Sequence, residues 1–192
     1  MTTATRERDV LRGLAKRVAE LAALPSEARK RRRWMDHNAL RDPAPLVLCF
    51  PEGAWLEAIP EDSLACADPL LRAWETRLRM AVYTHENLAD DQVVDDVFNV
   101  DWCAGASGWG LDVTSVTPDA ARRRTYYIHP YLGLSLQSHS QLGASHYEPP
   151  LKEKKDLQKL TAPKMTVDRP RSDEWLERAH DLRIGDVAMR HL

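Results

Sequence analysis

Two short stretches set residues capable of chemistry beside apolar, strand-like runs. In the first, Glu52, Gly53 and Trp55 follow Leu46-Val47-Leu48-Cys49-Phe50 across a Pro-Glu-Gly break. In the second, Asn99 lies within the run Val97–Val100, and Asp101 and Trp102 follow it. The loop at the carboxyl end of a parallel strand faces the site in α/β folds. A carboxylate placed there can act as a general acid or base, or stabilise a developing cation. Asp101 is the catalytic candidate, provided that apolar neighbours such as Trp102 and Trp109 raise its pKa. Its plainer role is to cap the loop Cys103–Gly110. Glu52, Gly53, Trp55 and Asn99 are candidates for substrate binding.

Arg124, at the end of Arg122-Arg123-Arg124, is a further substrate-binding candidate, because guanidinium groups can hold acidic substrate groups. The alternative is a set of solvated surface charges. These arginines lie in an insertion from about Leu111 to Tyr147, whose short β-like runs are Leu111–Val116, Thr125–Ile128 and Tyr131–Leu136. Such an insertion fits a lid over a site. His129, His139 and His146 are spaced by 10 and 7 residues, which matches no compact zinc motif. They read as turn histidines, and neither a metal nor a cofactor is implied. The glycine- and alanine-rich loop 103–110 lacks the lysine and the strand-turn-helix spacing of a phosphate-binding loop.

The elements that must position these residues read as an α/β pattern. Val10, Leu11, Leu14, Val18, Leu21 and Leu24 recur at helical spacing over Thr5–Leu24, a helix ended by Pro25. A second helix is expected from Ser26, as N-cap, toward Leu40. It carries Arg29-Lys30-Arg31-Arg32-Arg33, read as a solvated face. Pro45–Phe50 reads as a strand buried on both faces, and Trp55–Ile59 as a helical turn closed by Pro60. Asp68 can cap, and Pro69 open, a helix whose apolar stripe is Leu70, Leu71, Trp74, Leu78, Ala81, Val82, His85 and Leu88. His85 on that stripe reads as a core or boundary histidine. Val97–Val100 is expected to be a second strand, Lys152–Leu160 a charged helix and Lys164–Val167 an extended piece. The last helix is expected from Ser172, with Gly185 ending it. Asp186–Met189 then starts a third parallel strand, which Leu192 leaves unfinished.

The segment Pro45–Ile59, with Asp90-Asp91-Gln92-Val93-Val94 and Asp156–Leu160 ending at Pro163, resembles the amino-terminal part of the uroporphyrinogen decarboxylase-like superfamily. That superfamily is a set of (β/α)8 barrels that includes porphyrinogen decarboxylases and corrinoid-linked methyltransferases. The resemblance runs from about Arg33 onward. It implies a partial TIM-barrel fold, with amino-terminal helices (1–44) before a partial barrel domain (45–192). In the porphyrinogen-decarboxylating branch two arginines around an Ala-Gly grip substrate carboxylates after the first strand. Gly53 matches the glycine and Trp55 an aromatic position, but Phe50 and Ala54 stand at the arginine positions. Without those guanidinium forks uroporphyrinogen is not the expected substrate. Asp101 is the counterpart of that branch's catalytic aspartate, and the methyltransferase branch's zinc ligands have none here.

With 192 residues the chain falls short of the roughly 250 of a whole barrel. A net charge of -2 excludes a strongly basic nucleic-acid binder. Cys49, Cys66 and Cys103, an odd number without a CxxC, fit reduced thiols in a cytoplasmic compartment, and no run of apolar residues is long enough for a membrane span. Three functions follow as expectations. The chain is a decarboxylase- or methyltransferase-like enzyme on an unknown small substrate; or a truncated or split barrel half that a partner chain or self-association completes; or a non-catalytic binding module using the insertion and its aromatics.

Overall fold

The computed structural model describes residues 3–41, 44–111, 114–116, 127–128, 135–136, 146–182 and 188–191. In chain order the helices are α1 (Thr3–Ala22), α2 (Pro25–Asn38), α3 (Trp55–Ala58), α4 (Pro69–Asn87) and α5 (Arg169–Asp181). The strands are β1 (Val97–Val100), β2 (Ala104–Ala106), β3 (Thr114–Val116), β4 (Tyr127–Ile128), β5 (Ser135–Leu136), β6 (His146–Glu148), β7 (Met165–Val167) and β8 (Ala188–His191). The chain is thus mixed helix and strand. It divides into two compact units, one of Met1–Val100 with Leu176–Leu192, the other of Asp101–Trp175.

The first unit is built on α1 against α4. Leu11, Ala15, Val18, Leu21 and Ala22 are buried along α1, and Leu71, Trp74, Leu78 and Met80 along α4, the stripe that a period of 3.6 residues produces. Asp68 caps α4 by accepting from the amides of Leu70 and Leu71, with Pro69 in the first turn. Helix α2 opens differently from expectation. Pro25 occupies its first turn and Leu24 the N-cap position, so Ser26 is not the cap; a proline there needs no donor and brings the right φ.

The apolar run Pro45–Phe50 is not a strand. Val47 is 61% and Phe50 42% exposed, and among the described residues no strand pairs with the segment. Carboxylates take its amides instead: the Val47 amide donates to Asp91 Oδ2 at 3.0 Å and the Cys49 amide to Asp90 Oδ2 at 2.9 Å. The Asp91 amide returns a bond to the Val47 carbonyl at 2.8 Å. A run of apolar residues signals burial only if a neighbour covers it, and here two adjacent aspartates supply the hydrogen bonds that a sheet would have.

The basic run of α2 is not simply a solvated face either. Lys30 donates to the Gln92 carbonyl at 3.0 Å, Arg31 to the Val94 carbonyl at 3.2 Å, and Arg33 pairs with Asp91. Trp34 Nε1 donates to the Asp91 carbonyl at 2.8 Å. Only Arg29 and Arg32 of the five cations are exposed. The cations therefore moor the irregular segment that leads into β1.

In the second unit three antiparallel pairs are nested in sequence: β2 with β7, β3 with β6 and β4 with β5. The β-rich region is therefore wider than 111–147, because β2 begins before Leu111 and β7 follows Tyr147. Ser172 lies inside α5 rather than capping it. Its hydroxyl accepts from the Cys103 amide at 2.9 Å and donates to the Asp168 carbonyl at 2.7 Å, while Asp168 accepts from the Arg171 amide at 3.1 Å at the start of the helix. The expected charged helix at Lys152–Leu160 is a 3-10 turn, Lys154–Lys159. It is closed by a capping box, in which Asp156 Oδ2 accepts from the amides of Lys152 and Glu153 at 2.9 Å.

The turn after β2 depends on glycine. Gly108 and Gly110 have φ of 72° and 76°, and the Thr161 amide donates to the Trp109 carbonyl at 2.9 Å. A Cβ on Gly110 would lie 2.6 Å from Thr161 Oγ1 and 3.1 Å from the Lys159 carbonyl, whereas one on Gly108 would meet nothing within 4 Å. Gly110→Ala is expected to cost about 2–3 kcal/mol by combining a left-handed φ with a backbone clash, and Gly108→Ala about 1 kcal/mol from φ alone. Urea midpoints of the two variants check this; equal costs would mean that the Thr161 side moves away freely.

Candidate functional site

The chemistry-bearing residues of the first unit are set by the way β1 is held. Phe98 and Val100 are buried, whereas Val97 and Asn99 are half-buried, the alternation of a strand covered on one face. The covering element is α4. The Trp74 ring meets Phe98 edge-on at 5.6 Å, the Arg77 guanidinium lies 5.0 Å over the same ring, and Arg77 Nη1 donates to the Asn99 carbonyl at 2.7 Å. Strand β8 pairs parallel to β1, with Val97 level with Ala188, Phe98 with Met189, Asn99 with Arg190 and Val100 with His191. Arg178 pairs with Asp68 at 2.7 Å, and Arg12 Nε donates to the Leu182 carbonyl at 2.6 Å. These contacts tie Arg178 and Leu182, at the end of α5 and just after it, to the amino end of α4 and the middle of α1.

Of the residues singled out from the sequence, Asn99 is on β1, on the face away from Phe98 and Val100. Asp101 follows the strand, half-buried, as the first residue of the second unit. Trp102 packs under the Arg169 guanidinium at 5.6 Å. Trp109 is 62% exposed, so it does not supply the dry wall expected beside Asp101. Glu52, Gly53 and Trp55 lie elsewhere in the first unit. Because Pro45–Phe50 is not a strand, they do not stand at a strand's carboxyl end. Glu52 is exposed and heads a 3-10 turn, Glu52–Ala54, with φ of 48°; Gly53 is half-buried; Trp55 opens α3 and packs edge-on against Tyr83 at 5.5 Å. Among the described residues no hydrogen bond or ion pair joins this segment to Asn99. Arg124, His129 and His139 lie outside the described residues, and His146 is in β6.

The most deeply buried carboxylates, Glu27 and Glu75, were not legible as such from the sequence, and they serve the backbone. Glu75 is fully buried and accepts from the amides of Ala65 and Cys66 at 2.8–3.0 Å and from Arg79 at 2.8 Å. Burial raises its pKa, but the two amides and Arg79 outweigh burial and hold the carboxyl below its ordinary value. Glu27, also fully buried, accepts from the Val94 amide at 2.8 Å and lies 3.2 Å from Lys30 Nζ and 3.1 Å from His85 Nδ1. His85 is therefore a partnered boundary histidine. The Cys66 thiol is pushed up to about 12 by burial and then by the neighbouring Glu75. It stays protonated at neutral pH and is no nucleophile. Among the described residues no group of His, Cys, Asp and Glu is arranged to hold a metal ion, and no helix is long and apolar enough to cross a membrane.

Fold and geometry thus define a chain of mixed helix and strand in which, among the described residues, one pair of strands, β1 and β8, is parallel. No family model, no curated protein and no solved structure matches this sequence.

Proposed function

We propose that the chain supplies a first βαβ unit of a uroporphyrinogen decarboxylase-like barrel, and that further parallel strands, from a second copy or another chain, complete the sheet. The observation that carries this reading is the parallel pairing of β1 with β8, whose connection holds the second unit and then α5. Parallel sheets of two strands do not stand alone, since their stability rests on several strands and cover on both faces. Among the described residues neither β1 nor β8 has another neighbour, and α4 covers one face of β1. The completed unit would present a small-molecule site at the carboxyl end of β1, with Asp101 as acid or base in a decarboxylation or methyl transfer. Phe50 and Ala54, where the resembled family has arginines, argue against uroporphyrinogen as substrate. The three free thiols agree with a reducing, cytoplasmic setting.

Hydrogen exchange at the amides of Val97–Val100, followed across a wide dilution range, tests the reading. Strand recruitment predicts protection that falls on dilution, because the added strand dissociates; protection that does not change with concentration would contradict it.

A second reading is favoured by a specific observation in the other unit. Trp109, Leu157, Leu160, Met165 and Val167 are all exposed large apolar residues, and Trp109 sits on a turn fixed by two glycines. That surface suits a binding module better than a catalytic lid.

A further inference from the structure

Strands β2 and β7 form a ribbon in the second unit, and among the described residues neither has another neighbour. Ala104 stands opposite Val167, Gly105 opposite Thr166 and Ala106 opposite Met165. The Asp168 amide donates to the Cys103 carbonyl at 2.8 Å, and the Ser107 amide to the Lys164 carbonyl at 3.0 Å. In an antiparallel ladder such bonds recur at every second residue. Lys164, Thr166 and Asp168 therefore turn their backbone groups toward β2. Met165 and Val167 turn theirs outward, where no bond among the described residues takes them. Both side chains are exposed, Met165 by 70% and Val167 by 48%. With Ala104 and Ala106 they make one apolar face, because opposite residues of a ladder share a face.

An open edge of this kind is commonly protected by a lysine. Lys164 alone would serve so, but Asp168 lies four residues on, and that spacing makes the strand its own complement. Consider Lys164-Met165-Thr166-Val167-Asp168 laid antiparallel on a copy of itself about a twofold axis at Thr166. Lys164 then faces the partner's Asp168, Met165 faces the partner's Val167, and Thr166 meets the partner's Thr166. Met165 and Val167 fall at the hydrogen-bonded positions, while the opposite charges and the threonines fall at the non-bonded ones, where side chains are closest. The charges are at hand. Lys164 and Asp168 are exposed; among the described residues the Lys164 ammonium has no ion-pair partner, and the Asp168 carboxylate accepts only from the Arg171 amide, through Oδ1. A slip of two residues in register loses both ion pairs. Pro163, which has no N–H, and the start of α5 at Arg169 bound the pairing at its two ends.

We propose that the β7 edge is a self-association site whose partner is the β7 of a second copy of this chain. The two ribbons join into one sheet in the order β2-β7-β7-β2, with a continuous apolar face. The site concerns the second unit alone and does not rest on the recruitment proposed for β1 and β8.

The test is light scattering of the full chain over a range of concentrations, comparing Lys164→Glu, Asp168→Lys and an equimolar mixture of the two. Each variant alone sets like charges opposite each other at both symmetric positions, and its self-association is expected to weaken by about tenfold or more. In the mixture the pair of unlike chains has opposite charges at both positions, so association should return to that of the wild type. Asp168→Asn keeps an acceptor for the Arg171 amide and should weaken association less than Asp168→Lys, which separates lost pairing from a lost helix cap. The Met165 and Val167 amides should gain hydrogen-exchange protection as the wild type associates. Association carried by β1 and β8 alone would leave both charge reversals associating like the wild type. That result, a wild type that stays monomeric, a mixture no stronger than its components, or Met165 and Val167 amides indifferent to concentration would each overturn the pairing.

Discussion

Glu75→Gln is expected to destabilise the first unit by about 3–5 kcal/mol, the range for removing one member of a buried charge pair. The carboxylate is fully buried, and each of its neighbours is a donor: the amides of Ala65 and Cys66 and the guanidinium of Arg79. A carboxamide of the same shape turns an NH2 group toward donors, so at least one backbone amide loses its acceptor and Arg79 its counter-charge. Because those amides belong to the segment before α4, the helix start at Asp68 should loosen as well. The measurement is the urea midpoint near neutral pH, repeated at falling pH. Glu75 titrates below its ordinary value of 4.5 when folded. Its stabilisation is therefore complete above that value and is lost as pH falls through the lower, folded one. The wild-type chain should lose stability over that acid window more steeply than Glu75→Gln, which has no such proton to take up. Parallel acid profiles, or a cost below about 1 kcal/mol, would mean that the carboxylate is dispensable.

Trp74→Ala is expected to cost a similar amount, about 3–5 kcal/mol, with a different signature. Trp74 is 6% exposed and lies between the body of α4 and Phe98 of β1. Its removal deletes a large apolar side chain, leaves a cavity and ends an edge-to-face ring contact. Arg77 would still bond the Asn99 carbonyl, yet the ring that positions its guanidinium over Phe98 would have lost its support. The variant should therefore lose hydrogen-exchange protection at Val97–Val100 beyond its global loss of stability. Trp74→Phe, which keeps an aromatic edge against Phe98, should recover about half. Loss of stability with β1 protection falling only in proportion would mean that α4 does not place the strand.

The part of the fold that was legible in the sequence is the part governed by local, periodic signals. Helices α1 and α4 show the 3.6-residue stripe, and Asp68-Pro69 is a cap and first turn with few other uses. Val97–Val100 was recognisable as a strand, and of the expected strand at Asp186–Met189 the residues Ala188 and Met189 lie in β8, which is parallel to β1. Pro45–Phe50 misleads because its five apolar residues look like those of a buried strand, while the deciding partners, Asp90 and Asp91, lie some forty residues away. Glu27 and Glu75 were invisible for the same reason: an acid on a helix looks solvated until the donors that surround it are known. Ser172 read as a cap because hydroxyls favour that position, but α5 begins at Arg169, with Asp168 accepting from the Arg171 amide, so Ser172 lies inside it.

Light scattering of the isolated chain over a range of concentrations, with binding of an apolar-surface dye followed in the same samples, tests the open parallel pair most directly. If β1 and β8 take up further strands, the mass should rise above the 21.8 kDa of one chain as concentration increases, and dye binding per chain should fall as it does. A mass of 21.8 kDa at every concentration, with little dye bound, would show that the two strands need no others and would contradict the account.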